Sequence, residues 1–579
     1  MIVRTGPGLA RLEAHLGRYA GTVHSALDVL ASERTLPRIW ARDHTVWKPD
    51  PKDIANRLGW LDVPLRMRES APQLQAFAGE IEAAGLTQAV LLGMGGSSLA
   101  PELYSRVFGQ DASTRPHLNL QVLDSTDPAA VLSLARCLDP ERTLFIVSTK
   151  SGGTVETLST FKYFYNWTAA TVGFGRTGAH FVAITDPGSD LARMADRLRF
   201  RATFLSDPSV GGRFSAFSLF GLVPAALCGV DLPRLLERAV AEMDACGPQL
   251  VPQDNPAASL GAALGELAMA GRDKLTLIAS AEIASFGDWV EQLIAESTGK
   301  DGRGILPVVG EPPVAPSLYA ADRVFVHVQL CGPATGGDRP EAALLAALQG
   351  AGHPVIELYL RDKYDLAGQF YLWEFATAVA GQRLGVNPFD QPNVETAKVC
   401  AREMMAAYSK TGALPFDPPR VSGDGVAVYG AVDAASPAAA LMAFLKQGRP
   451  GDYVAVHAYL QPDEKTDAAL RSLRLRLLEK YRLATTVGYG PRYLHSTGQL
   501  HKGDAGRGLF VQLTADDAQD APIPNEPGSP DSSITFGLLK AAQALGDRRA
   551  LLDAGRRVIR LHLGGELAGG VGRLTSWLG

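Results

Sequence analysis

Apolar residues recur at two different periods along this chain, and the change from one to the other divides it. Leu12, Leu16, Tyr19, Val23 and Leu30 fall at near-helical spacing, which predicts an amphipathic helix over the first ~30 residues and a helical cap over 1–75. From about residue 85 the pattern turns to short apolar runs separated by helical stretches: "QAVLLGMG", "LNLQVLD", "TLFIVST" and "HFVAITD". Alternation of this kind predicts a mostly parallel sheet with helices on both faces, placed at 76–210. A second set, "LTLIASA", "VFVHVQL" and "HPVIELYL", closes on a helical segment from Tyr364 towards Leu384 and predicts a second α/β lobe over 211–412. "KTGALPFDPPRVSGDG", Lys410 to Gly425, is rich in proline and glycine and reads as a linker. Beyond it, "GVAVYGA", "YVAVHAYL", "ATTVGYG" and "GLFVQLT" predict a C-terminal α/β extension over 426–579. No repeat of fixed period stands out.

Composition narrows the function classes. The chain has 579 residues, 46% of them apolar, enough for sizeable cores, and its net charge of -5 is spread without a long block of either sign. That distribution argues against a nucleic-acid footprint or a membrane-seeking patch and points to small-molecule partners. The most membrane-like run, "FSAFSLFGLVPAALCGV", is interrupted by Gly221 and Pro224 and reads as a buried helix. Cys137, Cys228, Cys246, Cys331 and Cys400 form no CxxC pair, which fits reduced thiols in a cytoplasmic protein and neither a disulfide framework nor a zinc site. "MIVRTGPGLA" has no apolar stretch of the signal-peptide kind.

Two turns carry candidate chemistry. In "LLGMGGSSLAPEL" a strand runs into Gly93, Gly95, Gly96, Ser97 and Ser98 before a helix, so backbone N–H groups and a helix N-terminus can face an anion. The dinucleotide fingerprint would need glycine where Ser98 stands. In "STKSGGTVET" another strand end meets Ser148, Thr149, Ser151, Thr154 and Thr157, neutral donors suited to a phosphate, with Gly152 and Gly153 keeping the backbone close. Two phosphate-type loops in one lobe are far more specific than one.

Together these loops resemble the sugar-isomerase (SIS) fold, and within it the glucose-6-phosphate isomerase family, with the nearest likeness to the isomerase half of bacterial fusions with transaldolase. "GMGGS" is similar to the family's GxGGS turn and "TVET" to the end of its serine/threonine cradle. "VGGRFSAFS", "EQLIAESTGKDGRG" and "NPFDQPNVETAK" resemble three further family segments in the same order. The resemblance implies two doubly wound parallel-sheet lobes, a phosphate cradle of Gly96, Ser97, Ser148, Thr149, Ser151, Thr154 and Thr157, and Glu296 as catalytic base. It further implies Arg213 as the stabiliser of an enediolate, with Gln391 and Lys398 at the substrate. The implied reaction interconverts glucose 6-phosphate and fructose 6-phosphate without cofactor or metal. Broader acceptance, of mannose 6-phosphate as well, and a non-catalytic phosphosugar sensor are the alternatives. The resemblance leaves room for a homodimer and for association with a separate transaldolase.

Taken singly, these residues have ordinary readings: Glu296 as a helix-surface carboxylate, Lys398 as a solvated lysine, Gln391 as a helix cap and Arg213 as a core-boundary residue. The chemistry nonetheless suits them. Moving a carbonyl between C1 and C2 needs a carboxylate within reach of the carbon-bound proton, and a fixed cation beside the oxygen that becomes charged. One departure stands out: the family's GQH segment, whose histidine helps to open the sugar ring, has no counterpart in "ATGGDRPEAALLAAL". His353 begins a strand and reads as structural, so His495 in "YLHSTGQLHKGD" is the candidate ring-opening acid, with His501 as the fallback.

Overall fold

The computed structural model describes residues 2–4, 11–109, 117–331, 340–415 and 417–579. Its chain opens on strands β1 (Ile2–Arg4) and β2 (Arg11–His15), an antiparallel pair, and the first helix begins only at Ala20 and ends at Ser32. Leu12 therefore lies on a strand, and the helical spacing expected from Leu12 to Leu30 holds only from Val23 onwards. The reason is tertiary: β2 adds to the edge of a sheet formed by residues far along the chain, where Leu12 and Ala14 are buried.

The first sheet holds β3 (Gln88–Gly93), β4 (Asn119–Leu123), β5 (Thr143–Ser148), β6 (Phe181–Thr185) and β7 (Ala202–Leu205), all parallel in the order β4-β3-β5-β6-β7. Every residue of β5 and β6 is buried, as expected of strands covered on both faces. The chain leaves β3 towards β4 and then crosses back to place β5 on the other side. This reversal opens a crevice at the carboxyl ends of β3 and β5, where the two candidate loops emerge.

The second sheet comprises β8 (Lys274–Ala279), β9 (Leu306–Val309), β10 (Arg323–Leu330) and β11 (Val355–Leu360), in the order β1-β2-β11-β10-β8-β9. The third comprises β12 (Val421–Gly423), β13 (Val426–Tyr429), β14 (Tyr453–Tyr459), β15 (Ala484–Tyr489), β16 (Gly508–Thr514) and β19 (Arg557–His562), in the order β12-β13-β19-β16-β14-β15. A two-stranded ribbon, β17 (Pro522–Ile523) and β18 (Ile534–Thr535), interrupts the last crossover. The two six-stranded sheets share one plan: an antiparallel pair leads in, and four parallel strands follow in the same spatial order. Their edges meet. Leu306 and Val308 of β9 share a buried cluster with Tyr453, Ala455 and Ala484, and Glu311 just beyond β9 accepts the Thr485 N–H at 2.9 Å.

The apolar run after Arg213 forms a buried helix, Leu219–Leu227, with Pro224 inside it. Among the described residues no helix is long and apolar enough to cross a membrane.

Candidate active site

After β3 the backbone turns through Gly95 at φ +53, and a Cβ there would stand 2.7 Å from the His495 carbonyl oxygen and 2.9 Å from Gln292 Nε2. At Gly96 a Cβ would stand 2.1 Å from the Gly212 carbonyl oxygen. Glycine is thus required at both places because three segments converge on this turn. Ser148 Oγ at the end of β5 donates to the Ser97 carbonyl at 3.3 Å, joining the two loops. Thr149 and Thr154 share a hydroxyl contact at 2.8 Å, and Gly152 turns the chain at φ +74. Thr154 is the N-cap of the long helix Val155–Val172, yet its hydroxyl does not cap it and stays available to an anion at the helix's positive end. Ser97, Ser148, Thr149, Ser151 and Thr154 line one cavity of about 390 Å³. Thr157 does not: it is buried beneath the helix's first turn, with an unpartnered hydroxyl.

The same cavity is walled by Arg213, Glu296, Gln391, Lys398 and His495, so residues spread over most of the chain converge. Glu296 lies on the helix Phe286–Thr298 and is 5% exposed, contrary to its reading as a surface carboxylate, because that helix is buried on nearly all sides. Gln292, one turn earlier, donates Nε2 to Glu296 at 3.1 Å and to the His495 carbonyl at 2.8 Å. Arg213 Nη1 stands 3.5 Å from Glu296 Oε2. Its other groups are committed: Nε to Ser297 Oγ at 2.7 Å, Nη2 to the carbonyls of Pro388 and Asp390 at 2.6 and 2.9 Å, and Nη1 to Gln391 Oε1 at 3.3 Å. A guanidinium so fully anchored is a fixed charge beside the carboxylate. Gln391 does not cap a helix; the following helix, Val394–Thr411, starts after Asn393. Lys300 reaches the Asp390 carbonyl and carboxylate, both at 2.6 Å, and burial, then the neighbouring Arg213, pushes it down to about 8.

His495 Nε2 lies 3.1 Å from Glu156 Oε1, and the same oxygen accepts Gln543 Nε2 at 2.8 Å. Burial opposes the charge on Glu156, but the His495 imidazole beside it holds the carboxyl below its usual value. Lys398 stands at the cavity mouth with its side chain 46% exposed, and Glu395 of its own helix is 4.0 Å away. The fallback histidine is excluded from the cavity: His501 is buried against His457, ring nitrogens 3.2 Å apart. His353 lies outside the cavity, packed on Phe325 near Arg272. Residues 334–339, the first part of "ATGGDRPEAALLAAL", lie outside the described residues.

Glu156, Gln292 and Lys300 stand inside segments already singled out, yet their own residue types carry no sign of their roles. Only the four-residue spacing of Gln292 and Glu296 on one helix is a usable signal. A neighbouring cleft of about 600 Å³, lined by Lys48, Lys52 and Asp301, shares Arg57, Lys150 and Arg213 with the cavity and widens its mouth. Among the described residues one group could hold a metal, Glu13, His15 and Glu357, on β2 and β11 and outside the cavity wall; Arg11 pairs with Glu13 there.

The sequence model of the phosphoglucose isomerase family matches residues 42–303. The glucose-6-phosphate isomerase of Rubrobacter xylanophilus is 31% identical over 410 residues, covering 63% of this chain and 91% of that protein. That of a Thermus thermophilus strain is 30% identical over 398 residues, covering 60% and 90%. In three dimensions the chain is similar to a hypothetical protein of Thermus thermophilus (TM-score 0.57, 27% identity, 68% of this chain and 100% of the other). It also shares its fold with a Chlamydia trachomatis glucose-6-phosphate isomerase (TM-score 0.58, 20% identity, 70% and 90%).

Proposed function

The chain belongs to the phosphoglucose isomerase family, and from that premise we propose how its residues interconvert glucose 6-phosphate and fructose 6-phosphate. The observation that carries the reading is the buried Glu296 carboxylate, held by Gln292 and paired at 3.5 Å with a fully anchored Arg213 on the wall of the cavity that the hydroxyl loops line. Ser97, Ser148, Thr149, Ser151 and Thr154, with the backbone at Gly96, bind the phosphate and so set the distance to C1 and C2. Glu296 takes the proton from C2 of the open aldose and returns it to C1, and Arg213 stabilises the enediolate oxygens. Gln391, bonded to Arg213, adds a polar contact at the sugar.

Hexose phosphates are mostly cyclic, so the ring opens first. His495 exchanges the proton between ring oxygen and C1 hydroxyl; an Nε2–H donated to Glu156 fixes its orientation and leaves Nδ1 for the substrate. Lys398, the cation at the cavity mouth, polarises the oxygen. All these groups come from one chain, so the chemistry requires neither a second copy nor a transaldolase. Among the described residues no disulfide joins the five cysteines, which suits a reducing, cytoplasmic setting.

The test is a coupled assay of the purified protein with glucose 6-phosphate and fructose 6-phosphate, repeated in deuterated water. Turnover in both directions, with solvent deuterium entering at C1 or C2, is expected. Folded protein without turnover on either sugar would overturn the reading.

A further inference from the structure

Glu156 and His495 are held from behind by two adjacent turns of a single helix, Phe536–Asp553, that belongs to the third sheet's unit. Gln543 and Asp547 are four residues apart and therefore share a face of it. Gln543 accepts the Thr126 hydroxyl on Oε1 and donates Nε2 to Glu156, each at 2.8 Å, so its amide is locked against the first sheet's loops. One turn on, Asp547 is fully buried and accepts from both flanks of the segment that carries His495: Tyr493 OH at 2.6 Å on one side and Lys502 Nζ at 2.6 Å on the other.

Tyr493 stacks on the buried His457 with ring centroids 4.0 Å apart, and His457 Nδ1 is 3.6 Å from Asp547 Oδ2. Burial pushes His457 down to about 3, so it is neutral at working pH and the charges balance as Lys502 against Asp547. Neither group lines the cavity, so neither touches substrate. Between Asp547's two attachments the chain forms short helical turns, Arg492–His495 and Gly498–Gly503, without strand pairing; the second unit ties it in front, where Gln292 Nε2 donates to the His495 carbonyl at 2.8 Å and Gln499 Nε2 to the Gly299 carbonyl at 2.9 Å. Arg492 ties the start of the segment to Glu102 and Asp124 of the first unit, at 2.5 and 3.0 Å, and Asp547 supplies the tie from behind.

We propose that Asp547 is a positioning residue for ring opening: through Tyr493 and Lys502 it sets His495 at bonding distance from the Glu156 that Gln543 holds. The helix Phe536–Asp553 thereby governs ring opening separately from proton transfer at Glu296. This rests on the ring-opening role given to His495 above.

Two rates separate the steps: interconversion of glucose 6-phosphate anomers, which needs ring opening, and turnover of 5-deoxyfructose 6-phosphate, which lacks the hydroxyl that closes the ring. Asp547→Asn is expected to slow anomer interconversion about tenfold or more, a part of the roughly 10²–10⁴ that a positioned acid supplies, and to leave turnover of the open-chain sugar within about twofold. Because Asp547→Asn leaves Lys502 buried without a counter-charge, the double variant Asp547→Leu with Lys502→Met is measured beside it; it removes both charges and keeps the branching of the one side chain and nearly the length of the other. The same selective loss is expected there. Val571→Ala, in the core of the same unit, lowers stability without touching the cluster and should leave the ratio of the two rates unchanged. An unchanged ratio in the folded double variant, or an equal shift in Val571→Ala, overturns the proposal. His495→Ala keeps the two readings apart. If it spares anomer interconversion, the ring-opening role itself falls; if it abolishes it while the Asp547 variants do not, only the positioning inference falls.

Discussion

Glu296 and Arg213 are each 5% exposed and stand 3.5 Å apart, so each is the other's buried counter-charge as well as a group proposed for the chemistry. Glu296→Gln keeps the shape and the Gln292 contact but removes the base, and turnover should fall at least ~100-fold with KM little changed. Steady-state kinetics check this, and turnover within a few-fold of the parent would remove Glu296 from the mechanism. Lys300 gives a prediction in pH. Its protonated form holds the Asp390 carbonyl that also anchors Arg213, and it loses its proton as pH rises through about 8. kcat/KM should therefore decline above that pH, and Lys300→Arg, which stays charged, should lose the decline; an identical alkaline limb in the variant would refute the link. Stability follows the sign of the shift. A folded value below the ordinary 10.5 means that burying the charge costs stability below about 8, a cost that fades as pH rises towards 10.5. The residues legible in the sequence are those inside recognisable segments. Lys300, Gln292 and Glu156 sit in the same segments without being legible, because their meaning lies in partners such as Asp390, His495 and Gln543 that arrive from far along the chain.

At the scale of elements, apolar runs locate the strands well, since β3, β5 and β6 are buried along nearly their whole length. They fail at Leu12, whose spacing fits a helix but whose segment is captured as a strand between β1 and β11. The two hydroxyl loops are legible as loops, and what joins them is not: Ser215 Oγ donates to the Gly96 carbonyl at 3.0 Å, so the turn after β3 is clamped between β5 and the Arg213 segment. Gly96→Ala would drive a methyl to 2.1 Å from the Gly212 carbonyl and push the Arg213 turn away from the phosphate loop. Both kcat and KM should worsen, whereas Ser97→Ala, which keeps the backbone, should raise chiefly KM. Within the cradle, Thr154→Val removes a hydroxyl that pairs with Thr149, and KM should rise by an amount worth roughly 1–3 kcal/mol. Competition by inorganic phosphate should weaken in parallel, and a change confined to kcat would contradict the role.

For the whole molecule, three α/β units can be read from the run of strands, but not that the second and third share a strand order. Repetition lies in topology, not in residues: "KLTLIA" of β8 and "YVAVHAY" of β14 occupy the same place in their sheets with little in common. The correspondence makes the connection from β15 to β16, which carries His495, the counterpart of that from β9 to β10, "GEPPVAPSLYAAD", which has no histidine. A unit of the same strand order thus brings its own loop to a cavity whose other groups belong to the first two, and Gly95, without a side chain, leaves room for it. Every group proposed for the reaction comes from the one chain, so catalysis should not depend on assembly. Specific activity on fructose 6-phosphate should stay constant as the protein is diluted from micromolar to picomolar concentration, whatever mass is measured at the upper end. Loss of activity on dilution, restored by adding the inactive Glu296→Gln protein, would show instead that a second chain supplies part of the site.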